Sequence, residues 1–219
     1  AREQVKLVNT VPSAMAELVR GGGLPAGVRT VNLAGEPLTR RLVDEIYGSG
    51  GVGINFTPSA SSDLMVTDTT VINNNAFNGI GIQVNPTGSG LVRTTLNRVT
   101  VEQNNTGIKV DASSSTGTLR TTVRDSVVST NSGTGLWTRA PGSAAATTLI
   151  VNSSVNQNGL DGITADSPNA NVAVMNSTIM GNMTGISAPG GGRLYTYKNN
   201  ALNFNFSSDG AFPNVLTLN

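Results

Sequence analysis

A Gly-Ile or Gly-Leu dipeptide recurs six times in step: GINF from Gly53, GIQV from Gly81, GIKV from Gly107, GLWT from Gly135, GITA from Gly162 and GISA from Gly185. The intervals are 28, 26, 28, 27 and 23 residues. A second marker keeps the same step. VINN, VEQN, VSTN, VNQN, IMGN and LNFN each set an aliphatic residue three positions ahead of an asparagine, giving Asn74, Asn104, Asn131, Asn158, Asn182 and Asn205. Two registered series of one period describe a single structural unit stacked on copies of itself, which leaves only repeat architectures open.

The residues between the markers identify the unit. LVRTTLNRVTV, LRTTVRDSVV and TTLIVNSSV alternate in the manner of strands rich in Val and Thr, and PTGSG, ASSSTG, APGSAAA and DSPNA are turn sequences of variable length. Leucine-rich and ankyrin arrays require a helix in every repeat, and a propeller blade takes about 40 residues. A coil of three short strands with asparagine at a fixed corner matches the observed period. The expected fold is therefore mainly β: a right-handed parallel β-helix of about six coils over 51–219, each coil ~4.8 Å above the last, making a rod of roughly 30 Å. Composition agrees, since only 12% of residues are charged and 4% aromatic, with 26 glycines.

Stacking gives each marker a physical role. Identical asparagines one coil apart can donate and accept along the axis and also bond the turn backbone, so a buried corner leaves no amide unpaired. Asn104, Asn182 and Asn205 lie in glycosylation sequons, but inward stacking would exclude a glycan there. Two aliphatic columns, Ile54, Ile82, Ile108, Leu136, Ile163, Ile186 and Val71, Val101, Val128, Val155, Ile179, Leu202, are expected to fill the bore. Each buried side chain contributes about 1.5 to 3 kcal/mol before entropy. The tail NFNFSSDGAFPNVLTLN is expected to close the last coil with Phe204, Phe206 and Phe212 over the core.

The first fifty residues belong to another regime. They hold 11 of the 27 charged residues, so charge density more than halves after Gly50. VKLVNT and VRTVNLAG read as buried strands. TVPSAMAELVR reads as a helix opened by Pro12 and Ser13 with Ala14, Met15, Leu18 and Val19 on one side, and PLTRRLVDEIYG as a second helix capped by Gly48. From Val5 to Tyr47, with NTVPSAM and NLAGEPL as its most specific parts, the segment resembles a stretch of the adenylation domain of nonribosomal peptide synthetases. That resemblance implies a fragment of a domain that activates an amino acid with ATP, bordering the amino-acid pocket near Asn32 to Glu36. The family's phosphate loop, its YGPTE-type motif and its C-terminal lysine do not occur in this sequence, and adenylation needs such groups to stabilise charge on the phosphates. The expectation is a small α/β cap, 1–50, over the open N-terminal end of the solenoid.

The repeat half, Gly51 to Asp209, resembles bacterial right-handed β-helix proteins through GTGLVRTTLNRV-like and NNTGI-like segments. Many parallel β-helices are polysaccharide lyases or hydrolases, but fold does not transfer chemistry. With no Cys and no His, Ser-His-Asp and Cys-His catalysis, disulfides and the commonest transition-metal ligands are excluded. Neither a calcium-loop signature nor any cofactor motif occurs, and no metal or cofactor is expected. The formal net charge of +1 implies no nucleic-acid partner, and no apolar run reaches the roughly 18 to 20 residues of a membrane span. No signal-peptide pattern is visible, although an extracellular or cell-surface place suits a β-helix.

Aligning coils on the Gly-Ile marker puts Asn85, Asp111, Arg139 and Asp166 in one outward column, with Gln83, Lys109, Trp137 and Thr164 beside it. Asp111, Arg139 and Asp166 are expected to alternate as an ion ladder. The functional reading is a sugar- or anion-binding strip of Lys109, Asp111, Trp137, Arg139 and Asp166, with Trp137 as stacking platform and a cation on a carboxylate or sulfate. The structural reading is charge pairing between neighbouring coils that fixes register. A second column, Asp68, Arg98, Asp125, Asn152, Asn176 and Asn199, again sets opposite charges side by side, and Arg93 with Arg120 forms a like-charged pair. The leading expectation is a noncatalytic scaffold or binding module, its partner a glycan, another protein, or a second copy through coil ends or a strand face. The alternatives are a polysaccharide lyase or hydrolase using Asp111, Arg139 and Asp166, and a fusion relic or engineered chimera without evolved activity.

Overall fold

The structure is a computed structural model that describes residues 7–10, 14, 17, 30–33, 51–75 and 78–217. Near the N-terminus, Leu7–Thr10 and Thr30–Leu33 pair as parallel strands with Leu7 opposite Thr30, where VKLVNT and VRTVNLAG read as strands. Ala14 and Glu17 are helical and exposed. The remainder of the first helix, the second helix and the capping role of 1–50 lie outside the described residues.

From Val52 onward the chain winds as a right-handed parallel β-solenoid with three faces. Face A carries the Gly-Ile strands: Val52–Phe56, Ile80–Val84, Thr106–Asp111, Leu136–Arg139, Asp161–Asp166 and Thr184–Ser187. Face B carries the longest strands, among them Leu91–Asn97, Thr118–Arg124 and Ala145–Val151. Face C carries three-residue strands such as Thr100–Glu102, Val127–Ser129 and Ser154–Asn156. Each strand pairs only with the equivalent strands one coil before and after it, so Thr121 lies between Thr94 and Thr148. Residues about 27 apart in sequence thereby become neighbours, as the repeat requires.

Two left-handed residues turn each coil. Between faces B and C they are Asp68, Arg98, Asp125, Asn152 and Asn176, with φ of 47–52°. Between faces C and A they are Asn73, Gln103, Thr130, Gln157, Gly181 and Phe204. Asn and Gly suit this region because one has a short polar side chain and the other has no Cβ.

The residue after each C-to-A corner is the marker asparagine, and all six join one ladder. The Nδ2 of Asn74, Asn104, Asn131, Asn158 and Asn182 donates to the next Oδ1 at 2.8–3.0 Å. The backbone N–H of each donates to the same oxygen, as from Asn131 to Asn158 at 3.2 Å. The ladder ends on Asp209, whose Oδ1 accepts both the Asn205 amide at 3.1 Å and its Nδ2 at 2.8 Å. Asp209 thus does for the last corner what a further asparagine would do.

The glycine marker follows from this ladder. A Cβ on Gly135 would lie 2.6 Å from Asn158 Nδ2 and 2.7 Å from the Gly162 carbonyl, and one on Gly107 2.5 Å from the Gly135 carbonyl. Close approach between coils, not backbone conformation, demands glycine here.

The two expected aliphatic columns fill the bore, with Ile82, Ile108, Leu136, Ile163, Val101, Val128, Val155 and Ile179 fully buried. Face B adds Leu96, Val123, Ile150 and Val174. A buried threonine column runs beside them: Thr148 shares a hydrogen bond of 2.7 Å with Thr138 across the bore, whereas the hydroxyls of Thr94 and Thr121 have no partner. The B-to-C corner holds a second ladder that neither sequence marker reveals. The Val99, Ser126 and Ser153 amides donate to the hydroxyls of Ser126, Ser153 and Ser177 at 3.1–3.2 Å, and the Ser177 amide to Asn200 Oδ1 at 2.8 Å.

The tail departs from expectation. Phe212 packs against the core, but Phe204 and Phe206 are 82% and 83% exposed. Phe204 occupies a left-handed corner and Phe206 follows the ladder asparagine, positions from which side chains leave the bore.

Candidate functional site

The outward side of face A is the region singled out by the sequence, and its register is the expected one. Lys109 pairs with Trp137 and Trp137 with Thr164, while Asp111, Arg139 and Asp166 are consecutive on the neighbouring column. Strand alternation explains this grouping. Ile108 and Val110 point inward with Leu136 and Thr138, so Lys109, Asp111, Trp137 and Arg139 must point out.

The contacts differ from a simple alternating ladder. Asp111 pairs along its own strand, its Oδ2 lying 3.0 Å from Lys109 Nζ. Its Oδ1 accepts the Ser113 amide at 2.9 Å and a short hydrogen bond from the Ser113 hydroxyl. Burial pushes the Asp111 carboxyl up, but the Ser113 hydroxyl and amide and the Lys109 ammonium outweigh it and hold the carboxyl below its ordinary value of 3.8. Lys109 Nζ also stands 4.7 Å from the Trp137 ring centroid, a cation–π contact. Arg139 turns to the other neighbour, its Nε 3.3 Å from Asp166 Oδ2. That contact is an ion pair without hydrogen-bond alignment, which leaves Arg139 Nε, like Trp137 Nε1, enclosed and without a hydrogen-bond partner. The alternating ladder is therefore corrected to two separate pairs: the Asp111 carboxylate is held by Lys109 and Ser113, and Arg139 reaches Asp166 instead.

Beyond Trp137 the row continues as Thr164 and Ser187, both bonded to Asp161 Oδ2: Thr164 at 3.0 Å and Ser187 by a short contact. Sequence spacing carries no signal for this group, since Asp161 lies three residues from Thr164 and reaches Ser187 only through stacking. Asp111 and Asp166 stand two coils apart, about 10 Å by strand spacing, with Arg139 between them. No three acidic side chains converge among the described residues.

The other charged columns are also internally matched. Arg93 makes a bidentate pair with Asp63 at 2.8 and 3.0 Å, and Arg98 with Asp68 at 2.6 and 2.8 Å. These hydrogen bonds hold both carboxyls below their ordinary range and raise both guanidiniums. Arg93 and Arg120 are neighbours in register, but Arg93 is committed to Asp63. Further along the B-to-C corner, Asn176 Nδ2 donates to Asn152 Oδ1 at 2.7 Å and Asn152 Nδ2 to Asp125 Oδ1 at 3.2 Å. No helix among the described residues is long and apolar enough to cross a membrane.

Comparison with known proteins divides the chain as its composition does. The family described as "Right handed beta helix region" matches residues 45–206. The linear gramicidin synthase of Brevibacillus parabrevis is matched in two of its component chains. One is 64% identical over 47 residues, which cover 22% of this chain and 1% of that protein. The other is 54% identical over 52 residues, 24% of this chain and 1% of that protein. The AMB antimetabolite synthetase AmbB of Pseudomonas aeruginosa is 57% identical over 47 residues, 22% of this chain and 4% of that synthetase. The chain thus spans only a few per cent or less of the length of these relatives. No solved structure matches it.

Proposed function

The chain belongs to the right-handed β-helix family, and from that premise we propose that it is a noncatalytic solenoid scaffold whose face A is a weak, selective strip for acidic glycans. The observation that carries the scaffold reading is charge matching: Lys109 is taken by Asp111 on its own strand and Arg139 by Asp166 one coil on, so the charges of this face are committed to one another. A general acid needs a carboxyl shifted upward, and Asp111 is shifted downward. The strip reading rests on a different feature. Trp137 Nε1 and Arg139 Nε, two residues apart on one strand, are enclosed donors without hydrogen-bond acceptors, and a sugar carboxylate or sulfate is an acceptor of the kind they lack.

An array of uronate and sulfated glycans tests this reading. The intact chain is expected to retain a subset of acidic glycans, and Trp137→Ala and Arg139→Ala each to lose them. Equal retention by all three proteins would remove the strip. Steady cleavage of a uronate polymer that ends in Arg139→Ala would replace the scaffold with the lyase or hydrolase alternative.

The segment 1–50 fits this reading as a cap derived from an adenylation-domain fragment. Asn74 Oδ1 is buried and has no partner among the described residues, at the position where every later ladder asparagine receives two donors from the coil before it. The gene surrounding this stretch distinguishes a natural fusion from an assembled chimera.

A further inference from the structure

Seven large apolar side chains are exposed among the described residues, and four of them gather on one corner of the last coils: Leu160 at 55%, Met183 at 46%, Phe204 at 82% and Phe206 at 83%. Backbone hydrogen bonds set them on successive coils at this corner. The Met183 amide donates to the Leu160 carbonyl at 3.0 Å, the Gly181 amide to the Phe204 carbonyl at 3.1 Å and the Phe206 amide to the Asn182 carbonyl at 2.9 Å. Elsewhere the same corner is polar. The residues just before the ladder asparagines run Asn73, Gln103, Thr130, Gln157, Gly181 and then Phe204, and those just after run Asn75, Asn105, Ser132, Gly159, Met183 and then Phe206.

The change from polar to aromatic is unfavourable for the isolated chain. Phe204 holds a φ of 56°, a region that bulky side chains rarely adopt, and gains little burial within its own coil to offset it. Two nearly bare phenylalanines, with Leu160 and Met183, expose roughly 500 Å² of apolar surface, the size of a monomer's largest patch, and such patches are often functional. No charged residue occurs from 176 to 192 or from 199 to 208, and the nearest carboxylates, Asp161 beside Leu160 and Asp209, accept hydrogen bonds within the coils, from Thr164 and Ser187 and from Asn205.

We propose that this corner is a self-association surface on which a second copy of the chain docks through the same four residues. A two-fold contact requires a patch that complements itself, and an uncharged apolar patch meets that condition without like-charge repulsion. Two such patches bury about 1,000 Å² together, the lower bound for a specific interface, with Phe204 and Phe206 as its anchors. The surface lies on the C-to-A corner and uses none of the face A strip residues, so it is independent of the glycan reading.

Sedimentation and light scattering of the intact chain over a range of concentrations test the proposal. The chain, 22.5 kDa as a monomer, is expected to double in mass as concentration rises. Phe204→Gln with Phe206→Ser, residues that earlier coils use at the same positions, should weaken association about 100-fold or more while far-UV circular dichroism is unchanged. As the protein has no cysteine, single thiols give a second readout that does not depend on the double variant's folding. Met183→Cys should form a cross-linked dimer on mild oxidation, and Met65→Cys, exposed on face B, should not. A chain that stays monomeric overturns the proposal, also if the patch instead binds phosphatidylcholine vesicles. So does a dimer that survives the double variant, or equal cross-linking at both thiol positions.

Discussion

Asp111 concentrates the local chemistry of face A in one side chain: it is 9% exposed, faces a cation on its own strand and accepts two bonds from Ser113. Its folded pKa is depressed, so the ionised form is the one the fold favours. The stability this contributes is fully present above the unfolded value near 3.8 and is lost as pH falls through the folded value. Asp63 and Asp68 are shifted in the same direction but stand in solvent, where salt screens their pairs. In about 0.5 M salt, Asp111→Asn is therefore expected to lower stability by about 1 to 3 kcal/mol at neutral pH, with the gap to the parent narrowing below about pH 4. Thermal melts of both proteins from neutral pH to about pH 2.5 check this. Parallel curves down to the acid end would mean that Ser113 and Lys109 do not hold the carboxylate.

At the scale of the coil, the asparagine and the glycine form one unit. Asn131 accepts from Asn104 twice and donates to Asn158, and removing it strands buried donors. Asn131→Ala is expected to cost about 3 kcal/mol or more, well above one ordinary hydrogen bond, because its neighbours also lose partners. Gly135→Ala places a Cβ against Asn158 Nδ2, so combining it with Asn158→Ala relieves part of the clash. Urea denaturation of the two single variants and the double variant should show a combined loss smaller than the sum of the parts. Strict additivity would separate the two markers. Both were legible in the sequence because each side chain has a single solution at its position and therefore repeats almost unchanged. The serine ladder was not, since its column runs Val99, Ser126, Ser153, Ser177 and Asn200, several residue types meeting one need in a sequence rich in serine. Face A was legible in register but not in contacts: alternation fixes which residues share a column, whereas the choice of Asp111 between Lys109 and Arg139 rests on reach and rotamer. Phe204 and Phe206 were read as buried from their apolarity alone, and their places, one in the left-handed corner and one just after the ladder asparagine, overrule that.

For the whole molecule, stability is approximately a sum over coils and the interfaces between neighbours, since each strand pairs only with the coil above and the coil below. Such a solenoid should accept loss of one complete turn but not loss of part of one. Deleting 107–134 joins Thr106 directly to Gly135, which stands one coil later at the same position as Gly107, and Asn104 then meets Asn158 in place of Asn131. The inward columns stay apolar, with Leu136 following Ile82 and Val155 following Val101. This protein is expected to keep its β-type circular dichroism and a cooperative melt in a rod about 5 Å shorter. Deleting 107–120 instead joins face A to the middle of face B and sets every later side chain half a turn out of phase, turning bore residues to solvent, and should abolish the cooperative melt. Small-angle scattering and circular dichroism of the two deletions decide the matter. A folded half-coil deletion, or an unfolded full-coil deletion, would show that the coils are held by something other than the equivalence of residues about 27 apart.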